Sequence, residues 1–481
     1  MQPYRPNQRR ARTHTGLRWA RRNSLWLAAL LLAGCATYQP HPIEPGALAR
    51  SFEQRSLDDP ALQRYIAAHL DGAPPPAGVW TPATLTLAAF YFSPELDLAR
   101  ARYATRHAAI GTAAQRPNPA LLLPLGYTVS GGGGASPYLY GLGLDIPIET
   151  AGKRGYRQAR AEDLGLAARL GIGEVAWKLR GRLRTGLLDL YRNARRRALV
   201  DNRLRTQTQI VALLERRVAV GAVSAVETHA ARIALARVEA ELALADGGSA
   251  DARARIAAVI GLPLGALRAA DIRLDAFERP APLPPRADAR RAAVLNRADL
   301  LVALAQYGAS QSALQLEIAH QYPDIHLGPA VTFDGGAWKV ALPLSGIALP
   351  LFNRNEGPIA EAKARRKEAA AQVLTVQARS LGAVDRALAM LAAARESLRR
   401  ADALRSAQAL SVQDVQRAFD VGQSDRLALA LAHDALAAGD LARLDAQVRE
   451  QQAAGQLEDA LQRPLAAGDP APFVAAGVQR R

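Results

Sequence analysis

Eight histidines, one cysteine and a run of four glycines are the residues of this 481-residue chain whose types could carry chemistry. The histidines are His14, His41, His69, His107, His229, His320, His326 and His433. They could ligate a metal, but none pairs at ligand spacing with a cysteine or carboxylate cluster of the zinc kind. His320 and His326 bracket the start of a strand-like segment, where most such residues are simply solvated. The glycines at 131–134 could cradle a phosphate, but no Lys-Ser or Lys-Thr follows them, which removes a P-loop. No Gly-x-Ser-x-Gly elbow and no catalytic triad is legible. The chain therefore reads as a non-enzyme with no cofactor and no tight metal site. A single cysteine excludes an intramolecular disulfide, so what matters is where Cys35 stands.

Residues 25–34 form an apolar run after a basic stretch. At roughly ten residues the run is too short to span a bilayer and suits the core of a signal peptide. It ends Leu32-Ala33-Gly34-Cys35, which resembles the bacterial lipobox. The small residues would enter a peptidase cleft, and Cys35 would become the lipidated first residue. Its acyl chains would give membrane affinity by burying methylenes. Ala36 rather than Asp follows, which in that resemblance points to the outer membrane. Seven arginines precede Cys35, so removing residues 1–34 lowers the formal charge from +17 to +10. The remaining arginines are spread among Glu and Asp, which describes solvated helix faces and no nucleic-acid partner.

The elements that would place such an anchored chain come in two copies. Pro94-Glu95-Leu96 corresponds to Ala298-Asp299-Leu300, and Ile146-Pro147-Ile148 to Leu349-Pro350-Leu351. Val220-Gly221 corresponds to Val421-Gly422, and Gly261-Leu262-Pro263-Leu264 to Gln462-Arg463-Pro464-Leu465. The common order and a near-constant offset of about 200 residues indicate one duplicated unit. The implied plan is a signal peptide over 1–34, a lipidated linker over 35–80, a first repeat over 81–283, a second over 284–465 and a tail over 466–481.

Each repeat begins with two alternating segments. In 119–130, Leu121, Leu123, Leu125, Tyr127 and Val129 share a face. In 137–148, Tyr138, Tyr140, Leu142, Leu144, Ile146 and Ile148 oppose Gly141, Gly143 and Asp145. The second repeat offers 323–334 and 337–351, joined at Asp334-Gly335-Gly336. At about 10–12 residues such strands could cross a bilayer when tilted, or form hairpins of a soluble sandwich. The lipobox favours the membrane. Four strands cannot close a barrel in lipid, because open edges leave backbone groups unpaired. Several copies would have to share one barrel. Long helices are expected over 154–219, which holds no proline, and over 357–419. Returning helices are expected at 225–260, 286–320 and 425–462, with a further one at 84–116. A helix over 154–219 would reach roughly 100 Å.

Tandem units of strand, strand, long helix, turn and helix after a lipobox resemble the TolC family of outer-membrane efflux proteins, over about residues 80–465. Glu149-Thr150-Ala151-Gly152-Lys153-Arg154-Gly155 is similar to the branch paired with heavy-metal pumps of the cobalt–zinc–cadmium type. Pro350-Leu351-Phe352-Asn353-Arg354-Asn355 is similar to a common family feature after the fourth strand. The resemblance implies a mainly α fold with a membrane β part, assembled as a homotrimer. The trimer would hold a twelve-stranded β-barrel and a periplasmic tunnel of long coiled-coil helices. An equatorial belt would take 36–80, 262–285 and the tail after Pro464. Implied partners are a periplasmic adaptor (a membrane fusion protein), an inner-membrane efflux pump and outer-membrane lipid.

By the same resemblance the tips at about 218–225 and 419–426 dock the adaptor, with Val220, Gly221, Val223, Ser224, Val421, Gly422 and Ser424 as contacts. A glycine turn needed by any helical hairpin explains Gly221 and Gly422 equally well. Asp425 is a candidate tunnel-gate charge, since three symmetry-related carboxylates would attract cations. Two other functions stay open: a duct for multidrug efflux or type I protein secretion, and a non-channel lipoprotein that scaffolds the periplasm.

Overall fold

The computed structural model describes residues 36–70, 76, 78–129, 136–280, 282–342, 344–345 and 348–465. Residues 1–34 expected to be a signal peptide, Cys35, the glycine run at 131–134 and the tail 466–481 lie outside the described residues. The chain divides into two units at Phe52/Glu53. The first contains most of α1 (Pro45–Glu53), a helix with no buried residue.

The second unit starts with α2 (Pro60–His69), capped by Asp59, which accepts the Ala61 N–H at 2.7 Å. After β1 (Val79–Trp80) comes α3 (Pro82–Phe92), opened by a capping box between Thr81 and Thr84. α4 (Pro94–Ala114) follows after the extended Ser93. The single helix expected over 84–116 is thus two helices. Pro94 pushes the residue before it out of the helical region, and proline then suits the first turn of the next helix.

The long helices fall close to expectation. α5 (Lys153–Ala219) has 67 residues and α6 (Ala225–Ile260) has 36. After the short α7 (Leu264–Arg268) and β5 (Asp271–Ile272), α8 (Arg286–Asn296) and α9 (Ala298–Ala319) replace the one helix expected over 286–320. α10 (Glu356–Asp420) has 65 residues and α11 (Arg426–Leu461) has 36. α5 packs against α4, α6, α9 and α11, while α10 packs against α8, α9 and α11. The largest core joins Leu183, Leu187 and Leu188 of α5 to Ile256 and Ile260 of α6 and to Leu85 and Phe92 of α3. A second gathers Val384, Leu391, Ala454 and Leu457 between α10 and α11.

α6 and α11 each end on a left-handed residue, Gly261 (φ 90°) and Gln462 (φ 48°). A Cβ at Gly261 would lie 2.8 Å from the Phe92 carbonyl oxygen, so only glycine fits. At Gln462 the side chain has a use: its Oε1 accepts the Ala298 N–H at 2.7 Å and caps α9.

The remaining strands form one antiparallel sheet. β2 (Ala120–Leu122) and β3 (Leu125–Tyr127) pair with β4 (Tyr138–Ile148). β4 pairs on its other side with β6 (Ile325–Leu327) and β7 (Ala330–Asp334). β8 (Ala337–Ala341) pairs with β7, and β9 (Leu344–Ser345) with β6. Three expected strands are shorter or interrupted. Leu123-Pro124 splits the first and Gly328-Pro329 the third, because proline brings no N–H to the ladder. Each proline carbonyl still accepts from β4: Pro124 from Gly141 N–H at 3.1 Å, Pro329 from Leu144 N–H at 3.0 Å. The last described residues of the fourth strand are Leu344–Ser345, and 348–351, expected within it, are not strand.

Candidate functional site

The sheet has four lanes in chain order, with β2–β3 and β8–β9 on its two edges. Cross-strand partners share a face, so the register sorts the side chains. One face carries Leu121 against Leu144, Leu125 against Tyr140, Leu142 against Val331, and Val331 against Val340. These large apolar groups are exposed, Leu125 at 80% and Val340 at 83%. At the hairpin end the same face gathers aromatics. Tyr127 meets Tyr138 at 5.3 Å, Tyr140 stacks on Phe333 at 5.0 Å, and Phe333 meets Trp338 at 5.5 Å.

The opposite face is small and polar. Gly141 faces Thr332, Thr332 faces Lys339 and Gly143 faces Ala330. Asp145 meets His326 Nδ1 at 2.9 Å, and Lys339 donates to Asp334 at 2.7 Å. An apolar exposed face backed by a small polar one is what lipid on one side and water on the other require. Among the described residues no further strand pairs with either edge.

Between sheet and helices lies a latch built from the segment Glu149–Gly155. Ala151 (φ 54°) and Gly152 (φ 75°) turn the chain sharply into α5. Lys153, at 5% exposure, then points across to the second repeat. Its ammonium donates to the Tyr322 carbonyl and to Asp324 Oδ1, both at 2.7 Å. Thr150 N–H donates to the same carboxylate oxygen at 2.9 Å, and Thr150 Oγ1 to the Pro323 carbonyl at 2.7 Å. The second repeat has its own tie: Asn355 donates to the Glu317 carbonyl at 2.7 Å and to its carboxylate at 2.9 Å. A buried lysine is costly unless fully paired, so this latch is built to keep one geometry.

At the far ends of the long helices the two tips are built alike. α5 ends with Gly221 N–H bonded to the Val218 carbonyl and Ala222 N–H to that of Arg217. α10 ends with Gly422 N–H bonded to Phe419 and Gln423 N–H to Ala418. Both are Schellman motifs, with Gly221 at φ 70° and Gly422 at φ 75°. A Cβ at either glycine would meet nothing within 4 Å, so the left-handed backbone alone requires glycine there. Val220 and Val421, just before them, are 78% and 70% exposed.

Three residues beyond each glycine stands the next N-cap. Ser224 accepts from Val226 N–H at 3.0 Å, and Asp425 accepts from Ala428 N–H at 2.8 Å. Asp425 also receives the Arg217 guanidinium at 2.5 Å, which ties one tip to the other. The Ala428 N–H and then Arg217 hold its carboxyl below the usual range. A depressed acid stabilises above its unfolded value and loses that contribution only as pH falls through its folded value, so the tie is kept at neutral pH and lost on acidification below the ordinary carboxyl range. Asp425→Ala is expected to loosen the first turn of α11 by about 1 kcal/mol. Faster hydrogen exchange confined to residues 426–429 and the tip facing them is the readout.

Residues 91–262 match the family described as outer membrane efflux protein. The match runs from the end of α3 to the end of α6 and so covers the first strand pair, α5, the first tip and α6. The cobalt-zinc-cadmium resistance protein CzcC of Cupriavidus metallidurans is 28% identical over 216 residues, 44% of this chain and 50% of that protein. The chain thus spans about half the length of the curated relative it matches. The outer membrane protein VceC of Vibrio cholerae is 20% identical, with a TM-score of 0.65 over 80% of this chain and 97% of its own. A membrane protein of Pseudomonas aeruginosa gives 0.66 at 19% identity over 92% and 99%. CusC gives 0.64 at 15% identity over 79% and 91%. The fold of the chain is that of these proteins.

Within this fold, two features escaped the sequence. The Lys153–Asp324 latch joins residues 171 positions apart. The buried pair between Arg180 of α5 and Glu458 of α11 joins residues 278 apart, at 2.7 Å. The motif around Lys153 was visible, but nothing in it named Asp324. Among the described residues no group of three or more His, Cys, Asp or Glu is placed to hold a metal. No described helix is long and apolar enough to cross a membrane.

Proposed function

We propose that this chain is the outer-membrane duct of a tripartite efflux system and acts as a homotrimer. The supporting observation is the sheet: four antiparallel lanes in chain order, no further described strand on either edge, with one apolar exposed face and one small polar face. Three copies edge to edge give a closed twelve-stranded barrel, and closure is the only way to satisfy such edges in lipid. The aromatic group around Tyr127, Tyr138 and Trp338 then lies at a membrane–water interface. The long helices carry the pore away from the membrane by roughly 100 Å. Transport is passive, and the driving energy comes from an inner-membrane pump.

The matched tips present Val220 and Val421 beside exposed turn backbone, with Val223, Ser224 and Ser424 around them. That surface suits the hairpin of a periplasmic adaptor. Asp425, bonded to Arg217, keeps the two tips in register, and a gating role would add to this. Cys35 anchors the chain by lipid, 81–283 and 284–465 act as the two repeats, and the likeness to CzcC supports heavy-metal cations as cargo.

The test is the mass and the pore of the detergent-extracted protein. Three copies per particle and stepwise conductance in planar bilayers are expected. A monodisperse monomer without conductance overturns the reading. A Cys35→Ser chain that still takes up labelled acyl groups would remove the anchor. Unchanged sensitivity of a deletion strain to cobalt, zinc and cadmium would remove the cargo.

A further inference from the structure

The ends of four helices and the flank of α5 enclose a cleft of about 890 Å³. α4 and α9 begin at it, α6 and α11 finish at it, and Trp177, Ala258 and Val259 provide its apolar wall. Its charges are settled in pairs. Arg182 donates to both oxygens of Glu95 at 3.0 and 2.5 Å, and Lys178 holds Glu174 at 2.6 Å. Arg297 holds Asp299 at 2.7 Å, and Arg255 is held by Asp189 at 3.2 Å and Asp251 at 2.9 Å.

Asp459 of α11 is different. No described residue donates a hydrogen bond to its carboxylate. The nearest cations behind it are engaged elsewhere: Arg180 with Glu458, Arg184 with the Gln451 carbonyl, and Arg297 with the Ala460 carbonyl. The carboxylate lies over Gly181 of α5, where a Cβ would come within 3.0 Å of Oδ1. The absent side chain at 181 gives the carboxylate its place in the cleft. Asp459 is exposed to solvent on the wall of the cleft, with the helices massed behind it. Burial pushes its pKa up to about 6 against the opposing pull of Arg180, with Glu458 adding to the rise.

We propose that this cleft binds a hydrophobic amine, with Asp459 as its counter-ion. An ammonium at Asp459 takes the place of solvent, and an apolar body packs on Ala258 and Val259 beside the buried Trp177. The site lies within one chain and goes beyond the duct reading, because it needs neither assembly nor a pump.

The linkage has a definite sign. The folded chain holds the Asp459 proton more tightly than the unfolded chain, so stability falls as pH rises from the ordinary 3.8 to about 6. An amine that pairs with the ionised carboxylate recovers what is lost. The experiment uses the intact detergent-extracted protein, with benzylamine as probe and benzyl alcohol and benzoate as neutral and anionic counterparts. At about pH 8, where a carboxyl titrating near 6 is ionised, calorimetry should show benzylamine binding at least about tenfold tighter than either counterpart. Benzylamine should raise the melting midpoint at that pH and lose the effect at about pH 5, below the titration. Asp459→Asn should reduce benzylamine to the level of benzyl alcohol. Ala258→Trp, which narrows the cleft without touching the carboxylate, should exclude both. Equal binding by wild type and Asp459→Asn, equal binding of benzoate, or no benzylamine binding by the wild type each overturns the proposal.

Discussion

Gly141→Val is expected to abolish the heat-resistant oligomer and the conductance, while Gly126→Ala, fifteen residues earlier on the neighbouring lane, leaves both unchanged. The difference lies in what a new Cβ would meet. At Gly141 it would stand 2.6 Å from Thr332 Cγ2, 2.7 Å from the Val331 carbonyl oxygen and 3.0 Å from Thr332 Cα. Two of those three are backbone, which cannot rotate away. At Gly126 the nearest atom is Leu139 Cβ at 3.5 Å, an ordinary contact.

The contact at Gly141 also lies where it matters most. β4 belongs to the first strand pair and β7 to the second, and Gly141 opposite Thr332 sits in the ladder that joins them. Overpacking a tight site typically costs 1–3 kcal/mol, and a clash with backbone stands at or above the top of that range, roughly 3 kcal/mol. Opening this ladder splits one four-lane sheet into two hairpins, each too small to persist alone. Electrophoresis without boiling and single-channel recording read the two outcomes. A Gly141→Val protein that still migrates as an oligomer and still conducts would show that the β4–β7 ladder is dispensable.

The helices were legible because their punctuation is local. Residues 154–219 hold no proline and 357–419 only Pro358, in the first turn where proline is tolerated, and Gly221 and Gly422 mark the turns that end them. Prolines told only part of the story. Pro94 separates α3 from α4, and Pro124 and Pro329 interrupt strands whose alternation runs on past them, so a reading by period alone overran all three. The break between α8 and α9 had no local signal. Arg297 is extended because its guanidinium is bound to the Ala460 carbonyl and Asp299, while Gln462 supplies the cap for Ala298. Tertiary contacts imposed that end. At the tips, positions were legible and roles less so. An Asp before an apolar helix is itself an N-cap signal, and Asp425 makes the cap as well as the tie to Arg217. Asp459 reads as one more carboxylate on a helix face. Only the fold brings Gly181 beneath it and withholds a donor.

Arg180→Met should destabilise the chain far more than the double change Arg180→Met with Glu458→Leu. The two side chains are each 5% exposed and meet at 2.7 Å. The guanidinium also lies 5.4 Å from the centre of the Trp177 ring. Glu458 keeps two further contacts, the Leu465 N–H at 3.0 Å and Arg184 Nε at 3.5 Å. Neither replaces a direct charge-assisted bond in an apolar setting. Removing one partner of a buried pair costs on the order of 3–5 kcal/mol, because the other charge stays desolvated and uncompensated. Removing both by residues of similar volume is often neutral or stabilising, since desolvation consumes most of what the pair gains. Melting midpoints of the two single variants and the double should therefore rank the double above both singles. The single variant also removes the strongest cation that holds Asp459 down, so Asp459 should titrate higher in Arg180→Met than in the wild type. A double variant as unstable as the single would mean that the loss is one of packing against Trp177 rather than of an unpaired charge. The pair joins α5 of the first repeat to α11 of the second, so an Arg180→Met chain should also lose its oligomer at temperatures where the double variant keeps it.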